Sequence, residues 1–184
     1  MASHITENIF LGSYDDAKDI DFLRKRNIKH IVNVAEECKN YPITDVYHHK
    51  FDIRNDADIT IDTLNKIYDL LTTIGDLENI LIHCAHGKSR SVSIVLYYLM
   101  KRGYTLKDAI AFAKLKRPII DPSVNFIKLL STIDNTFDID EYYVAKLKTL
   151  FPDLTLTNDE IRNAIINNNY DLNEIANFFL SNTI

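Results

Sequence analysis

The chain has 184 residues, is 46% hydrophobic and 26% charged, and carries a net charge of −5. This is ordinary globular composition, enough for one medium domain or one plus a small module, and four Gly and four Pro argue against long flexible linkers. No apolar run approaches the ~20 residues of a membrane span, and the charge is too mild to argue for a nucleic-acid partner.

MASHITENIF lacks the basic segment and apolar core of a secretory signal. The two cysteines, Cys38 and Cys84, make no disulfide framework. A cytoplasmic location is therefore expected, with the nucleus as the alternative. Charge is unevenly spread. Residues 101–128 hold seven bases against two acids, and residues 141–184 hold six acids against three bases. A basic surface favours an anionic substrate, although a solvated helix face has the same composition.

In chain order, NIFLGSYDDA reads as a strand, a Gly turn and an acid-rich helix start. DFLRKRNIKHIVNVAEE gives a short helix and then a buried strand through Ile31–Val34. YHHKFDI, from Tyr47 to Ile53, alternates loosely and reads as a strand whose His48 and His49 face opposite ways at the surface. Leu64, Ile67, Leu70, Leu71 and Ile74 form a helical stripe closed by Gly75. NILIHC is a short apolar strand, and SVSIVLYYLMKRG a buried helix ending at Gly103. A helix capped by Thr105 stops before Pro118, and another opens at Pro122. Strands alternating with helices imply an α/β layer fold. After Asp140 the strand signal vanishes and three short helices follow, the first broken by Pro152. A domain boundary is expected near residues 137–141.

The chemistry concentrates at the turn between the apolar strand ending in Cys84 and the helix after it. A strand-to-helix loop points successive backbone N–H groups into one concavity, and the helix start adds a positive dipole end. Gly87 permits the tight turn, and Arg90 offers a planar fork matched to phosphate oxygens. The same positive field lowers the pKa of Cys84 toward the nucleophilic thiolate. Three plainer readings compete. His83-Cys84-x-His86 could ligate metal, but no second cluster is visible. Gly87-Lys88-Ser89 resembles the end of a nucleotide-binding loop, but that motif needs Gly where Ile82 stands. Cys84 could also be an inert buried thiol. Cys38, in a polar loop, reads as a spectator.

His83-Cys84-Ala85-His86-Gly87-Lys88-Ser89-Arg90 carries the His-Cys-x5-Arg signature of cysteine-dependent phosphatases. With NIFLGSYDDA, NIKHIVNVAEE and RPIIDPSVNFIKLL, the chain resembles the dual-specificity protein phosphatase domain over roughly residues 5–135, which implies a catalytic domain over residues 1–138. The resemblance implies an α/β fold with a central mixed sheet flanked by helices. It also implies a nucleophilic Cys84, a phosphate-binding loop of Ala85, His86, Gly87, Lys88, Ser89 and Arg90, and Ser91 aiding breakdown of the thiophosphate intermediate. His83 would support ionisation of the cysteine. Phosphoproteins are the implied substrates, and neither metal nor cofactor is called for. Phosphoinositides and RNA 5′-phosphates are alternative substrates, Lys88 matching a loop lysine of lipid-specific relatives. Phosphate binding without turnover is a further alternative.

The family's general acid is an aspartate on a separate loop, here within FDIRNDADITID. Counting from the inward Phe51 and Ile53 puts Asn55 in the expected slot. A one-residue register change selects Asp56, with Asp52 and Asp58 as alternatives, and the loop could also lack an acid.

Residues 141–184 resemble the CUE branch of the ubiquitin-associated three-helix fold, a small all-α bundle. Leu150-Phe151-Pro152 stands for the family's Met-Phe-Pro and Phe179-Leu180 for its terminal dileucine. The resemblance implies ubiquitin as a partner through those five residues. The competing reading is a helical cap packed on the phosphatase.

Overall fold

Three short apolar runs in the first half of the chain, buried on both faces, form the middle of one sheet, and short polar strands lie at its two edges. The computed structural model describes residues 1–54 and 59–181, the side chains of Phe178, Leu180 and Ser181 excepted. The chain divides into two compact units, residues 1–134 and 135–184.

In the first unit the strands are β1 (Ser3–His4), β2 (Ile9–Gly12), β3 (Ile28–Asn33), β4 (Tyr47–Lys50) and β5 (Asn79–His83). They form a five-stranded sheet in the order β1-β2-β5-β3-β4. β1 runs antiparallel to β2, and the remaining pairs are parallel, so the sheet is mixed. β5 lies between β2 and β3, opposite Gly12 and Asn33 at His83, so its C-terminal end opens at the middle of the sheet. In parallel sheets that end is where ligands are held.

The helices of this unit are α1 (Ile20–Lys25), α2 (Ile61–Ile74), α3 (Arg90–Lys101), α4 (Leu106–Lys116) and α5 (Val124–Ser131). Thr60 caps α2 by accepting from the Thr63 N–H, and Thr105 caps α4 by accepting from the Asp108 N–H. Each such cap stabilises by roughly 1 kcal/mol. Gly75 ends α2 with a positive φ of 73°. On one sheet face Phe10, Ile31 and Leu81 pack with Ala17 and Leu23. α3 packs against β2 and β5 and is buried from Ser91 to Leu99. A fully buried Ile, Leu or Val side chain contributes roughly 1.5–3 kcal/mol, so α3 and β5 make a rigid seat for the turn between them.

The second unit contains α6 (Ile139–Leu150), α7 (Asn158–Asn167) and α8 (Leu172–Ser181). Asp138 caps α6, and Thr157 with Glu160 forms a reciprocal capping box on α7. Tyr143, Val144, Leu147, Ile161, Ile165, Ile175 and Phe179 are buried. The turn before α8 uses the left-handed region at Asn169 and Tyr170.

Candidate active site

β5 delivers His83, the chain turns through Cys84 to Ser89, and Arg90 opens α3. Hydrogen bonds from outside the loop fix its shape. The Tyr14 N–H donates to the Ala85 carbonyl (3.1 Å) and the Asp121 N–H to the Lys88 carbonyl (2.8 Å). Arg117 Nε donates to the Gly87 carbonyl (2.8 Å), and the Ser123 N–H donates to Ser89 Oγ (3.0 Å). In a planar trans peptide the carbonyl and the following N–H point opposite ways. Three carbonyls held outward therefore turn the N–H groups of His86, Lys88 and Ser89 inward, a concavity suited to an oxyanion. Gly87 sits at φ 66°, and a Cβ there would lie 2.4 Å from the Gly12 carbonyl oxygen. No side chain fits.

Cys84 is 3% exposed and lies in this concavity. Its Sγ accepts from the Gly87 N–H and from the Ser91 hydroxyl, each at 3.2 Å. Burial pushes the thiol pKa up. Hydrogen bonds from the Ser91 hydroxyl and from the backbone of Ser91, Gly87 and His86 outweigh it, and the pKa falls below the ordinary cysteine value. His83 is buried, and burial pushes its imidazole down to about 4, so it is neutral near pH 7. Its Nδ1 donates to the Cys84 carbonyl at 3.3 Å. The ring can orient the cysteine backbone, but it adds no positive charge beside the thiol.

Arg90 turns its guanidinium toward the segments that follow β3 and β4. Its Nη1 donates to Glu37 Oε2 (2.8 Å) and to the Ile53 carbonyl (3.0 Å), and its Nη2 to Glu37 Oε1 (2.5 Å). The Arg90 hydrogen bonds hold the Glu37 carboxyl down to about 2. His86 and Lys88 are exposed at the rim.

The structure thus brings together Cys84, Ala85, His86, Gly87, Lys88, Ser89, Arg90, Ser91 and His83. The Asp52 carboxylate pairs with Lys50 Nζ at 3.2 Å and is 65% exposed. Asp56 and Asp58, with Asn55, lie outside the described residues. Cys38, in its loop, is 3% exposed, and its carbonyl accepts from Asn33 and Lys50. One expectation about bystanders is corrected. His48 and His49 are half-buried rather than at the surface. His49 Nε2 meets His30 Nδ1 at 2.9 Å, and both ring nitrogens of His48 are buried with no hydrogen-bond partner among the described residues.

Sequence reasoning missed Glu37 and Arg117. Arg117 is 5% exposed, unusual for arginine, and its Nη1 also donates to the Met1 carbonyl at 3.0 Å. Its signals were its place before Pro118 at the close of a helix and at the head of the family-like segment RPIIDPSVNFIKLL. Glu37 is the second of two successive acids after β3, and nothing beside them in the sequence assigns either a role.

Among the tail residues, Leu150 is 56% exposed and Pro152 exposed, while Phe151 is half-buried. Phe179, expected as a partner contact, is instead 4% exposed and meets Phe151 edge-on with ring centroids 6.4 Å apart. It is core. The Leu180 side chain lies outside the described residues.

Comparison with known proteins agrees with this geometry. The dual specificity phosphatase catalytic domain matches residues 9–136. Dual specificity protein phosphatase 1 of Arabidopsis thaliana is 29% identical over 148 residues, covering 79% of this chain and 75% of the relative. Protein-tyrosine-phosphatase IBR5 of the same plant is 32% identical over 131 residues, covering 71% of this chain but 49% of the relative. Slingshot of Drosophila melanogaster is 32% identical, over 73% of this chain and only 13% of its own length. Among solved structures, human DUSP28 shares the fold at TM-score 0.68 and 22% identity, covering 73% of this chain and 94% of that one. DUSP15 does so at TM-score 0.66 and 25% identity, covering 71% and 85%. With the loop, its cysteine and its arginine in place, the chain belongs to the dual specificity phosphatase family.

Proposed function

We propose that this chain hydrolyses phosphate monoesters of proteins, on tyrosine and on serine or threonine, through a cysteinyl-phosphate intermediate. The observation that carries the reading is the Cys84 thiol receiving the Gly87 N–H and the Ser91 hydroxyl inside a loop whose rim holds Arg90. The Cys84 thiolate attacks phosphorus while the bond to the ester oxygen breaks. Inward N–H groups and Arg90 hold the three remaining phosphoryl oxygens. An aspartate of the 52–58 segment, Asp56 in this reading, protonates the departing alcohol. Water then attacks the thiophosphate, Ser91 stabilises the departing sulfur, and inorganic phosphate leaves. These steps need no metal or cofactor.

The test is parallel turnover on phosphotyrosine and phosphothreonine peptides, short-chain phosphoinositides and RNA bearing a 5′-phosphate. Peptides should be the better substrates by at least roughly tenfold in kcat/KM, the scale of a few well-placed contacts. Preference for either other class would reassign the substrate, for which exposed Lys88 is the structural argument. Phosphate binding with no turnover on any substrate would make the chain a binder.

A second reading concerns residues 141–184. The exposed Leu150 and Pro152 at the C-terminal end of α6 favour a weak contact with ubiquitin there, alongside Phe151. Buried Phe179 does not contribute. Ubiquitin amide shifts on titration should trace one apolar patch, with Kd of ~10–500 μM for so small a contact, and vanish with Leu150→Glu. No shifts with the unsubstituted chain would exclude the contact.

A further inference from the structure

A guanidinium carries five N–H groups in a fixed fork, and which of them are free decides how it can grip a phosphoryl group. Both Nη1 hydrogens of Arg90 are engaged, by Glu37 Oε2 and the Ile53 carbonyl, and one Nη2 hydrogen by Glu37 Oε1. Among the described residues, these contacts leave the Nε–H and the second Nη2–H for a ligand. These two lie on one side edge of the fork and point parallel, a pair matched to two oxygens of one phosphoryl group.

Glu37 does not swing freely into this contact. It follows β3 in a loop pinned at several points: Lys50 Nζ gathers the carbonyls of Ala35, Glu36 (3.2 Å) and Cys38 (2.9 Å). Asn33 Nδ2 donates to the Cys38 carbonyl at 2.7 Å, and the Cys38 N–H to the Ala35 carbonyl at 3.1 Å. The Glu36 N–H and Arg90 Nη1 both converge on the Ile53 carbonyl, at 3.3 and 3.0 Å. A loop held from β3, from β4 and from the segment after it therefore presents a carboxylate to the far edge of Arg90.

We propose that Glu37 is a positioning residue for the reaction: it clamps the Nη1/Nη2 edge of Arg90 so that the Nε/Nη2 edge faces the phosphoryl oxygens in the transition state. The proposal rests on reading Arg90 as a phosphoryl ligand. Because the clamp makes no contact with substrate, it acts on how well Arg90 follows the changing oxygens, not on whether the anion enters. A misplacement of one such donor costs on the order of 10²-fold.

Glu37→Gln keeps the shape and loses the charge-assisted pair. With a small aryl phosphate, kcat should fall about 10- to 100-fold and KM change less than about threefold. Affinity for vanadate, which imitates the five-coordinate phosphorus on the thiolate, should fall in parallel with kcat, while affinity for inorganic phosphate should not. Glu37→Asp should restore part of the loss. In an Arg90→Lys background, where no fork exists to be clamped, Glu37→Gln should cost nothing further. Unchanged or raised kcat in Glu37→Gln would overturn the proposal, the latter making Glu37 a competitor of phosphate. An equal loss in the Arg90→Lys background would overturn it too, as general damage to the loop. If the unsubstituted chain turns nothing over, the phosphatase reading fails, and the vanadate series still decides whether Glu37 orients Arg90.

Discussion

Cys84→Ser should reduce turnover by roughly 10⁴-fold or more, the scale on which enzymes lose rate when an acting nucleophile is removed. It should leave tungstate or phosphate binding intact. What makes the thiol reactive is a set of donors aimed at an anion: the Gly87 N–H and the Ser91 hydroxyl, both at 3.2 Å, with the backbone of Ser91 and His86. Those donors bring a thiol below its ordinary value but cannot ionise a serine hydroxyl, whose pKa lies far above the working pH. The anion cradle survives the change, because the carbonyl anchors from Tyr14, Arg117 and Asp121 are untouched. Removing a thiolate that faces an incoming dianion also removes a repulsion, so oxyanion affinity should hold or rise. At about 1.36 kcal/mol per decade the expected loss corresponds to ~5 kcal/mol of barrier. Residual activity within about tenfold of the unsubstituted chain, little more than one such decade, would remove Cys84 from the mechanism.

How far such a site can be read before the fold is known depends on whether its parts are local. The Cys84–Arg90 loop is local: a short apolar strand, one glycine and a helix-start serine and arginine fall close together in the chain, and each has a backbone reason to be there. Thr105 was legible as a cap for the same reason, since cap and partner N–H lie within one helical turn. Glu37 and Arg117 are not local. Glu37 meets Arg90 across 53 residues and Arg117 meets Gly87 across 30, and nothing in the neighbourhood of either says that its charge faces inward. Phe179 failed in the opposite direction. A pair of apolar residues at a chain's end reads equally well as a surface patch or as core, and only the packing of Phe151 against it decides. β1 was missed because two polar residues at a sheet edge carry no periodicity.

The general acid is a question of chain order first and of kinetics second. The Ile53 carbonyl touches Arg90 Nη1, so the chain is at the mouth of the loop just before residues 55–58. Asp52 precedes that point and is paired with Lys50 at 3.2 Å. Asp56 follows it in the chain, and of the two it is the better placed by order alone. Asp56→Asn should therefore slow hydrolysis of alkyl and peptide phosphates by roughly 100-fold, the usual contribution of a positioned acid. An ester whose leaving group is already acidic needs no proton in the transition state and should lose little. The pH profile carries an independent sign. A general acid works only while protonated, so kcat/KM on a peptide should fall as pH rises through its pKa, and Asp56→Asn should flatten that basic limb without moving the acidic one. If Asp52→Asn gives this leaving-group pattern instead, Asp52 must swing away from Lys50 during turnover. If neither variant does, the 52–58 segment supplies no proton, and the enzyme is confined to esters that leave unaided.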